Sequence, residues 1–135
     1  KDLNCLITGD HIMDGSTVVI APPDGCMSGY IQSLKKLINY EINYLAPGHG
    51  EYMYEPYTVI KSIIEHRLKR EEKVLDRLRK NNESKIEDLV LSVYDDVDSR
   101  LHPIALLSLE AHLIKLKNDQ KIMFCDNSSL WKSQD

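Results

Sequence analysis

A continuous amphipathic stretch in the middle of this chain constrains its fold more than any other feature. Pro56 suits the first turn of a helix, and apolar residues then recur at helical spacing to about Lys80, before Asn81 and Asn82. A helix of that length divides the 135 residues into a part before it and a part after it. The chain is therefore long enough for one ordinary domain or for two small ones.

The part before the long helix alternates between strand-like and helix-like patterns. Short β-prone runs at 4–8, 17–20 and 44–46 predict strands, because each is apolar and bounded by Gly, Pro or Asp. The apolar spacing from Met27 to Ile38 predicts a helix. Strand, helix and strand in this order predict mixed α and β structure, with chemistry expected where the strands end.

The part after the long helix predicts two more helices and a hairpin. Ser84 and Glu87 match a capping box, which predicts the start of a helix. Pro103 is expected to open a second helix, and the runs 121–125 and 130–132 predict a β-hairpin. Helix, helix and hairpin are the elements of a winged helix, with the long helix as its third helix.

The composition changes at residues 81–83, which predicts a boundary between two domains. Residues 1–80 would form the first domain, including the long linking helix, and residues 81–135 would form the winged-helix-like second domain. Residues 1–8 look like a strand and lack the features of a signal peptide, so the sequence is expected to begin inside a fold.

Composition narrows the class of protein. With 42% hydrophobic and 28% charged residues and no apolar run of membrane-spanning length, a soluble globular protein is expected and membrane insertion is not. Three widely spaced cysteines, Cys5, Cys26 and Cys125, are predicted to be buried thiols. This use of cysteine favours the reducing cytoplasm, with mitochondria as the alternative in a eukaryote.

Positive charge is concentrated in one segment. Residues 61–80 hold eight Lys and Arg against four Asp and Glu, whereas residues 81–135 hold six against ten. A nucleic-acid surface would have to use the basic segment. The simpler interpretation is a solvated helix face on which opposite charges pair.

Asp10 and His49 are the candidates for chemistry. Asp10 follows a predicted strand and a glycine, and His49 lies between two glycines after Pro47, where a ligand could approach the backbone closely. One carboxylate and one imidazole suit part of a zinc shell, but a catalytic site needs at least three protein ligands. From these residues alone, a turn cap and an ordinary loop histidine remain open as the alternative.

Several short motifs carry a family resemblance. They are Leu6-Ile-Thr-Gly-Asp-His-Ile-Met13, Pro22-Pro-Asp-Gly25, Pro47-Gly-His-Gly50 and the helix segments His66-Arg67 and Arg70-Glu71. In this order they resemble the metallo-β-lactamase superfamily, in the branch of β-lactamase-like protein 2, which is similar to glyoxalase II. The resemblance implies an α+β fold, namely the C-terminal portion of an αββα sandwich followed by a winged-helix-like domain.

The resemblance also implies a metal-dependent hydrolase. Asp10 would be the catalytic carboxylate that bridges two divalent metal ions, and His49 would complete the shell of the second metal. The metals would be zinc, with manganese or iron as alternatives, and the hydroxide between them would attack a thioester, ester or phosphodiester. The HxHxDH motif of the family is absent from this sequence, so an N-terminal half of the fold is an expected partner. This chain alone is expected to be inactive and could hold no metal.

Three kinds of function compete at this point. The leading hypothesis is part of a hydrolase that acts on a small molecule or on RNA, with substrate-binding residues unknown. A second is a DNA- or RNA-binding winged helix, or part of an endoribonuclease. A third gives residues 84–135 a structural role, in which the winged helix covers the active site or makes a homodimer contact. The acidic balance of residues 81–135 favours the structural role over nucleic-acid binding.

Overall fold

A computed structural model describes residues 3–134. Lys1, Asp2 and Asp135 lie outside the described residues, and so does the part of the predicted first strand that falls on Lys1 and Asp2. The elements in chain order are β1 (Cys5–Gly9), α1 (Met27–Leu37), β2 (Tyr44–Pro47), α2 (Pro56–Asn81), β3 (Glu83–Ser84), α3 (Ile86–Val93), a 3₁₀ turn (Ser99–Leu101), α4 (His102–Asn118), β4 (Ile122–Cys125) and β5 (Leu130–Ser133).

The described residues divide into two compact units. The first unit contains residues 3–18 and 29–66, and the second contains residues 19–28 and 67–134. The predicted boundary between domains of 1–80 and 81–135 stays a prediction.

A parallel pair of strands organises the first unit. β1 pairs with β2 from Cys5 opposite Tyr44 to Gly9 opposite Pro47, with an irregularity between Ile7 and Gly9. Parallel strands require a crossover between them, and α1 lies in that connection. The buried apolar side chains of this unit are Ile12, Tyr30, Ile31, Leu34, Ile42, Leu45 and Ile60.

The sequence patterns predicted most elements of the first unit. β1, α1, β2 and the long helix α2 all form within a residue or two of the predicted positions. The predicted strand at 17–20 is wrong, because that segment is irregular and Val19 is 46% exposed. A strand needs a neighbour for its backbone hydrogen bonds, and among residues 3–134 none pairs with this segment.

A helical core closed by a small antiparallel sheet forms the second unit. The sheet has the order β3, β5, β4, and the hairpin pairs Ile122 with Ser133 and Cys125 with Leu130. The predicted helices and hairpin are therefore confirmed, and β3 is an additional short strand. The core contains Val74, Leu75, Leu78, Leu89, Val90, Val93, Tyr94, Ala105, Leu109, Leu113, Leu116, Ile122 and Trp131.

Trp131 packs into this core as predicted. Its side chain is 9% exposed, and its ring lies 4.8 Å from the ring of Phe124, centroid to centroid. An aromatic pair at that separation adds to the stabilisation from buried area.

The predicted capping box at Ser84 is wrong. The N-cap of α3 is Lys85, and no side chain makes a capping hydrogen bond there. Ser84 pairs with Trp131 in the sheet, and its hydroxyl donates to the carbonyl of Lys85 at 3.1 Å. Ser84 is therefore held in strand β3, one residue before the N-cap position that Lys85 occupies.

The prediction of buried cysteines is also wrong. Cys5 and Cys26 are exposed, Cys125 is half-buried, and all three are free thiols. Cys5 faces outward because it occupies the same face of β1 as Ile7, which is 81% exposed.

Candidate functional site

Asp10 lies in a tight turn that ends β1. The N–H of His11 donates to the carbonyl of Thr8 at 3.0 Å, and the Thr8 hydroxyl donates to the carbonyl of Ile12 at 2.8 Å. Gly9 adopts φ +54°, a left-handed conformation that favours glycine. Because Ile12 is fully buried, the turn is anchored on both sides of Asp10.

His49 lies at the tip of a closed loop after β2. Leu45 and Met53 exchange backbone hydrogen bonds of 2.9 and 3.0 Å, which bring the chain back on itself around the Pro47-Gly-His-Gly50 motif. The N–H of Gly48 donates to the carbonyl of Gly9 at 2.7 Å. This bond attaches the histidine loop to the aspartate turn.

The two candidate residues meet, as predicted. His49 Nδ1 lies 2.8 Å from Asp10 Oδ1, although 39 positions separate the residues in sequence. The carboxyl ends of β1 and β2 lie at the same edge of the parallel pair, which brings the residues that follow them together. Because a carboxylate only accepts hydrogen bonds, Nδ1 is the donor in this contact, and in the neutral ring the free lone pair is then on Nε2.

The pair is accessible and closely fitted to the backbone. The side chains of His49 and Asp10 are 74% and 70% exposed. A Cβ added at Gly48 would lie 2.9 Å from Asp10 Oδ1 and 3.2 Å from the carbonyl of Gly9, so the residue beside the carboxylate must be small.

The donor types fit part of a metal shell. A carboxylate oxygen and an imidazole nitrogen are both ligands of zinc and related ions. Among residues 3–134, however, no group of three or more His, Cys, Asp and Glu side chains could hold a metal ion. The two residues therefore match the ligand types of a metal site but fall short of the three protein ligands of a catalytic one.

The neighbouring His11 is directed away from the pair. Its Nε2 lies 2.8 Å from the Ser33 hydroxyl, and its ring contacts the Tyr30 ring edge-on at 4.9 Å. The Tyr30 hydroxyl donates to the His11 carbonyl at 3.0 Å, and burial lowers the pKa of the imidazole. His11 is therefore held by residues of α1 and not by Asp10 or His49.

Basic residues of the second unit are engaged in ion pairs. Arg70 forms two hydrogen bonds to Asp96, of 2.8 and 3.1 Å, and Lys73 pairs with Asp95. Arg67 is 4% exposed and is therefore buried. Three of the cations that a nucleic-acid surface would require are thus buried or neutralised.

Comparison with known proteins identifies the fold of both units. A family model described as the beta-lactamase associated winged helix domain matches residues 86–131. A metallo-beta-lactamase family protein from Thermus thermophilus is similar over 96% of this chain and 42% of its own, with a TM-score of 0.81 and 15% identity. A beta-lactamase domain protein from Burkholderia ambifaria has a TM-score of 0.83 and 18% identity. The similarity covers 96% of this chain and 41% of that protein.

Two curated relatives are similar in sequence. The beta-lactamase-like protein 2 homolog of Drosophila melanogaster is 31% identical over 119 residues, which are 87% of this chain and 39% of the relative. The beta-lactamase-like protein 2 homolog of Caenorhabditis elegans is 29% identical over 119 residues, which are 88% of this chain and 39% of the relative. This chain therefore spans about two fifths of the length of the relatives that it matches.

The chain has the α+β fold of the C-terminal part of metallo-β-lactamase family proteins, including their associated winged helix. Within that class, the predicted resemblance to β-lactamase-like protein 2 is confirmed for the C-terminal part. In residues 3–134, every helix is too short or too polar to cross a membrane.

Proposed function

We propose that this chain contributes two metal ligands, Asp10 and His49, to a metal-dependent hydrolase of the metallo-β-lactamase fold. The observation that carries the proposal is the 2.8 Å contact between His49 Nδ1 and Asp10 Oδ1 at the carboxyl edge of the two parallel strands. The relatives support the choice of protein class, because one is named a metallo-beta-lactamase family protein and another a beta-lactamase-like protein 2 homolog.

Each residue has a defined part in the proposal. Asp10 would hold a metal ion through its carboxylate and orients the His49 ring, which would hold a metal ion through Nε2. Gly48 leaves room for the carboxylate beside the backbone. Divalent metal ions bound there, with zinc favoured over manganese or iron, would supply Lewis-acid activation of water and of the bond to be cleaved. The substrate class remains a thioester, an ester or a phosphodiester.

The remaining ligands are proposed to come from an N-terminal half of the same fold. This agrees with the relatives, of which the matched segment covers 39%, and with the absence of a third ligand among the described residues. The winged helix is proposed to serve the structure of the complete enzyme. Cytoplasmic localisation and a homodimer remain predictions.

Metal titration of the 135-residue chain tests the proposal. Zn²⁺ should shift the NMR signals of residues 9–14 and 47–51 with weak affinity, because two ligands are fewer than the three of a catalytic site. Asp10→Ala and His49→Ala should abolish these shifts, whereas the matched control His102→Gln, in the second unit, should keep them. Zn²⁺ shifts that persist in both alanine variants would refute the assignment.

Activity is the second test. The chain alone should hydrolyse thioester, ester and phosphodiester substrates no faster than buffer with the same metal, because its shell is incomplete. In a protein that joins this chain to the N-terminal half of the fold, Asp10→Ala should remove turnover. Metal-dependent turnover by the isolated chain that is unchanged in Asp10→Ala would contradict the proposal.

A further inference from the structure

Asp14 contacts the histidine loop on both sides of Gly50. The backbone N–H of Asp14 donates to the carbonyl of His49 at 3.4 Å. Its carboxylate oxygen Oδ2 accepts from the backbone N–H of Glu51 at 3.1 Å. Asp14 thus holds the histidine loop at His49, immediately before Gly50, and at Glu51, immediately after it.

The contact is close enough to require glycine at position 50. Gly50 has φ +95°, and a Cβ added there would lie 2.5 Å from the Cβ of Asp14 and 3.0 Å from its carbonyl oxygen. Those atoms belong to the backbone or to the first side-chain carbon, so they cannot move aside as the end of a flexible side chain would. Only glycine at position 50 therefore allows Asp14 to approach the loop this closely.

His49 lies between two attachments of its loop. On one side, Gly48 donates to Gly9, and on the other, Asp14 holds residues 49–51. Fixed backbone on both sides limits the directions in which the exposed imidazole can extend. The partner that it reaches is Asp10, at 2.8 Å.

We propose that Asp14 is a positioning residue that holds the His49 imidazole against Asp10. The value of this placement for a metal site rests on the proposed function, but the placement itself does not depend on a metal. The side-chain bond to Glu51 is the part of the attachment that depends on residue type, since the bond to His49 uses the backbone N–H of Asp14. Asn at position 14 keeps an acceptor oxygen, whereas Ala removes it.

Long-range ¹H–¹⁵N NMR spectra of the His49 ring, recorded on the 135-residue chain with a chelator present, test the proposal. Wild-type protein should show the Nδ1–H tautomer that donates to Asp10. In Asp14→Ala this tautomer preference should be lost, and the Glu51 amide should exchange with solvent about fivefold faster, the factor expected for one lost hydrogen bond. Asp14→Asn should retain both signals. Glu51→Ala is the matched control, because it keeps the backbone N–H that Asp14 accepts from.

Several outcomes would overturn the proposal. An unchanged His49 tautomer in folded Asp14→Ala would show that the backbone alone positions the ring. Loss of the tautomer in folded Asp14→Asn would assign the effect to charge and not to the acceptor. If Asp14→Ala fails to fold, hydrogen exchange of the Glu51 amide in the wild-type chain is the remaining test. Exchange at the rate of an unstructured peptide would overturn the proposal, because the bond to Asp14 would then give no protection. Failure of the Zn²⁺ titration refutes the proposed function and leaves these spectra unaffected.

Discussion

Gly48 occupies a position where any side chain would meet the Asp10 carboxylate. A Cβ there would lie 2.9 Å from Asp10 Oδ1, with the Gly9 backbone at 3.2 Å behind it. Gly48→Ala should therefore displace the exposed carboxylate from His49, with only a small loss of stability because the carboxylate can move aside. The Zn²⁺-induced NMR shifts measure the first effect, and urea unfolding measures the second.

Gly15→Asn is the control for that substitution. Gly15 has φ +72°, which asparagine tolerates better than most residues, and a Cβ there meets nothing within 4 Å. Its Zn²⁺ response should equal that of the wild type. Equal responses in Gly48→Ala and wild type would show that the carboxylate tolerates a methyl group beside it.

Three ionisable side chains in the second unit are largely buried. Glu71 Oε1 accepts from Lys115 Nζ at 2.8 Å, and Glu71 Oε2 lies 3.6 Å from Nδ1 of His112, which is 1% exposed. Burial alone would raise the pKa of Glu71, but the interactions with His112 and Lys115 outweigh it and lower that pKa. Burial lowers the pKa of His112, and this effect exceeds the opposing effect of Glu71.

Acid should therefore destabilise this unit in two steps. A histidine with a lowered folded-state pKa binds its proton first in the unfolded chain, so stability falls as pH drops below the ordinary value of 6.5. The contribution of Glu71 is present above its ordinary value of 4.5 and is lost as pH falls through its lower folded-state pKa. The free energy of unfolding, measured from pH 8 to well below pH 4, reports both steps.

Substitutions separate the two groups. His112→Leu should flatten the decline of stability just below pH 6.5, because the titrating imidazole is gone. Glu71→Ala should cost about 1–3 kcal/mol at pH 7, since it leaves half-buried Lys115 with Asp119 as its remaining acidic partner and removes the carboxylate beside buried His112. A His112→Leu profile parallel to that of the wild type would show that other groups cause the acid effect.

Sequence reasoning found Asp10 and His49 but not Asp14. The first two stand beside glycines at the ends of apolar runs, and this is a local signal for a site. Asp14 contacts residues 49–51, which are more than thirty positions away, and that approach exists only after β1 and β2 pair. Asp14-Gly15 by itself indicates a turn, so the sequence gives no sign of the contact.

Among the secondary-structure elements, the C-terminal end of α3 is stabilised by contacts with Arg70 of α2. Arg70 donates to the carbonyl of Val93 at 2.6 Å, forms two bonds to Asp96, and places its guanidinium 4.5 Å from the centre of the Tyr94 ring. Lysine cannot reproduce both the planar two-bond contact and the stacking. Arg70→Lys should therefore destabilise the chain by about 1–3 kcal/mol in urea unfolding.

Lys80→Ala is the matched control on the same helix. Lys80 is 64% exposed and pairs with Asp76 at 3.1 Å one helical turn away, an arrangement that contributes about 0.3–0.5 kcal/mol. Its unfolding midpoint should shift little. A loss of stability in Arg70→Lys no larger than in Lys80→Ala would show that the Val93 and Asp96 contacts do not stabilise the end of α3.

Elements with strong apolar periodicity were predicted correctly, and those that depend on a distant partner were not. α1, α2 and α3 show helical spacing of apolar residues over two or more turns, which local sequence encodes, whereas α4 was predicted from Pro103 near its start. The segment 17–20 has β-forming residues but no partner strand among the described residues. Ser84 has the residue type of a cap, yet pairing with Trp131 determines its conformation.

At the scale of the whole molecule, charge bears on the choice between enzyme and nucleic-acid module. The net charge is −4, and the basic segment 61–80 is the main source of positive potential. Within it, Lys73 pairs with Asp95, while Arg77 lies 2.9 Å from Asp76 and 3.8 Å from Asp95. Neutralised cations release few counterions from a phosphate backbone, so they contribute little affinity.

We expect the chain to bind single- or double-stranded RNA more weakly than the roughly 10⁻⁴–10⁻⁶ M of ordinary non-specific binders at physiological salt. Fluorescence anisotropy at two salt concentrations measures this affinity and its salt dependence. Asp95→Asn removes the partner of Lys73 and the longer contact of Arg77, so it should strengthen RNA binding slightly and steepen its salt dependence. Tight, salt-sensitive binding by the wild type that Asp95→Asn does not alter would show that other cations form a nucleic-acid surface, and would favour RNA binding over a purely structural role for the winged helix.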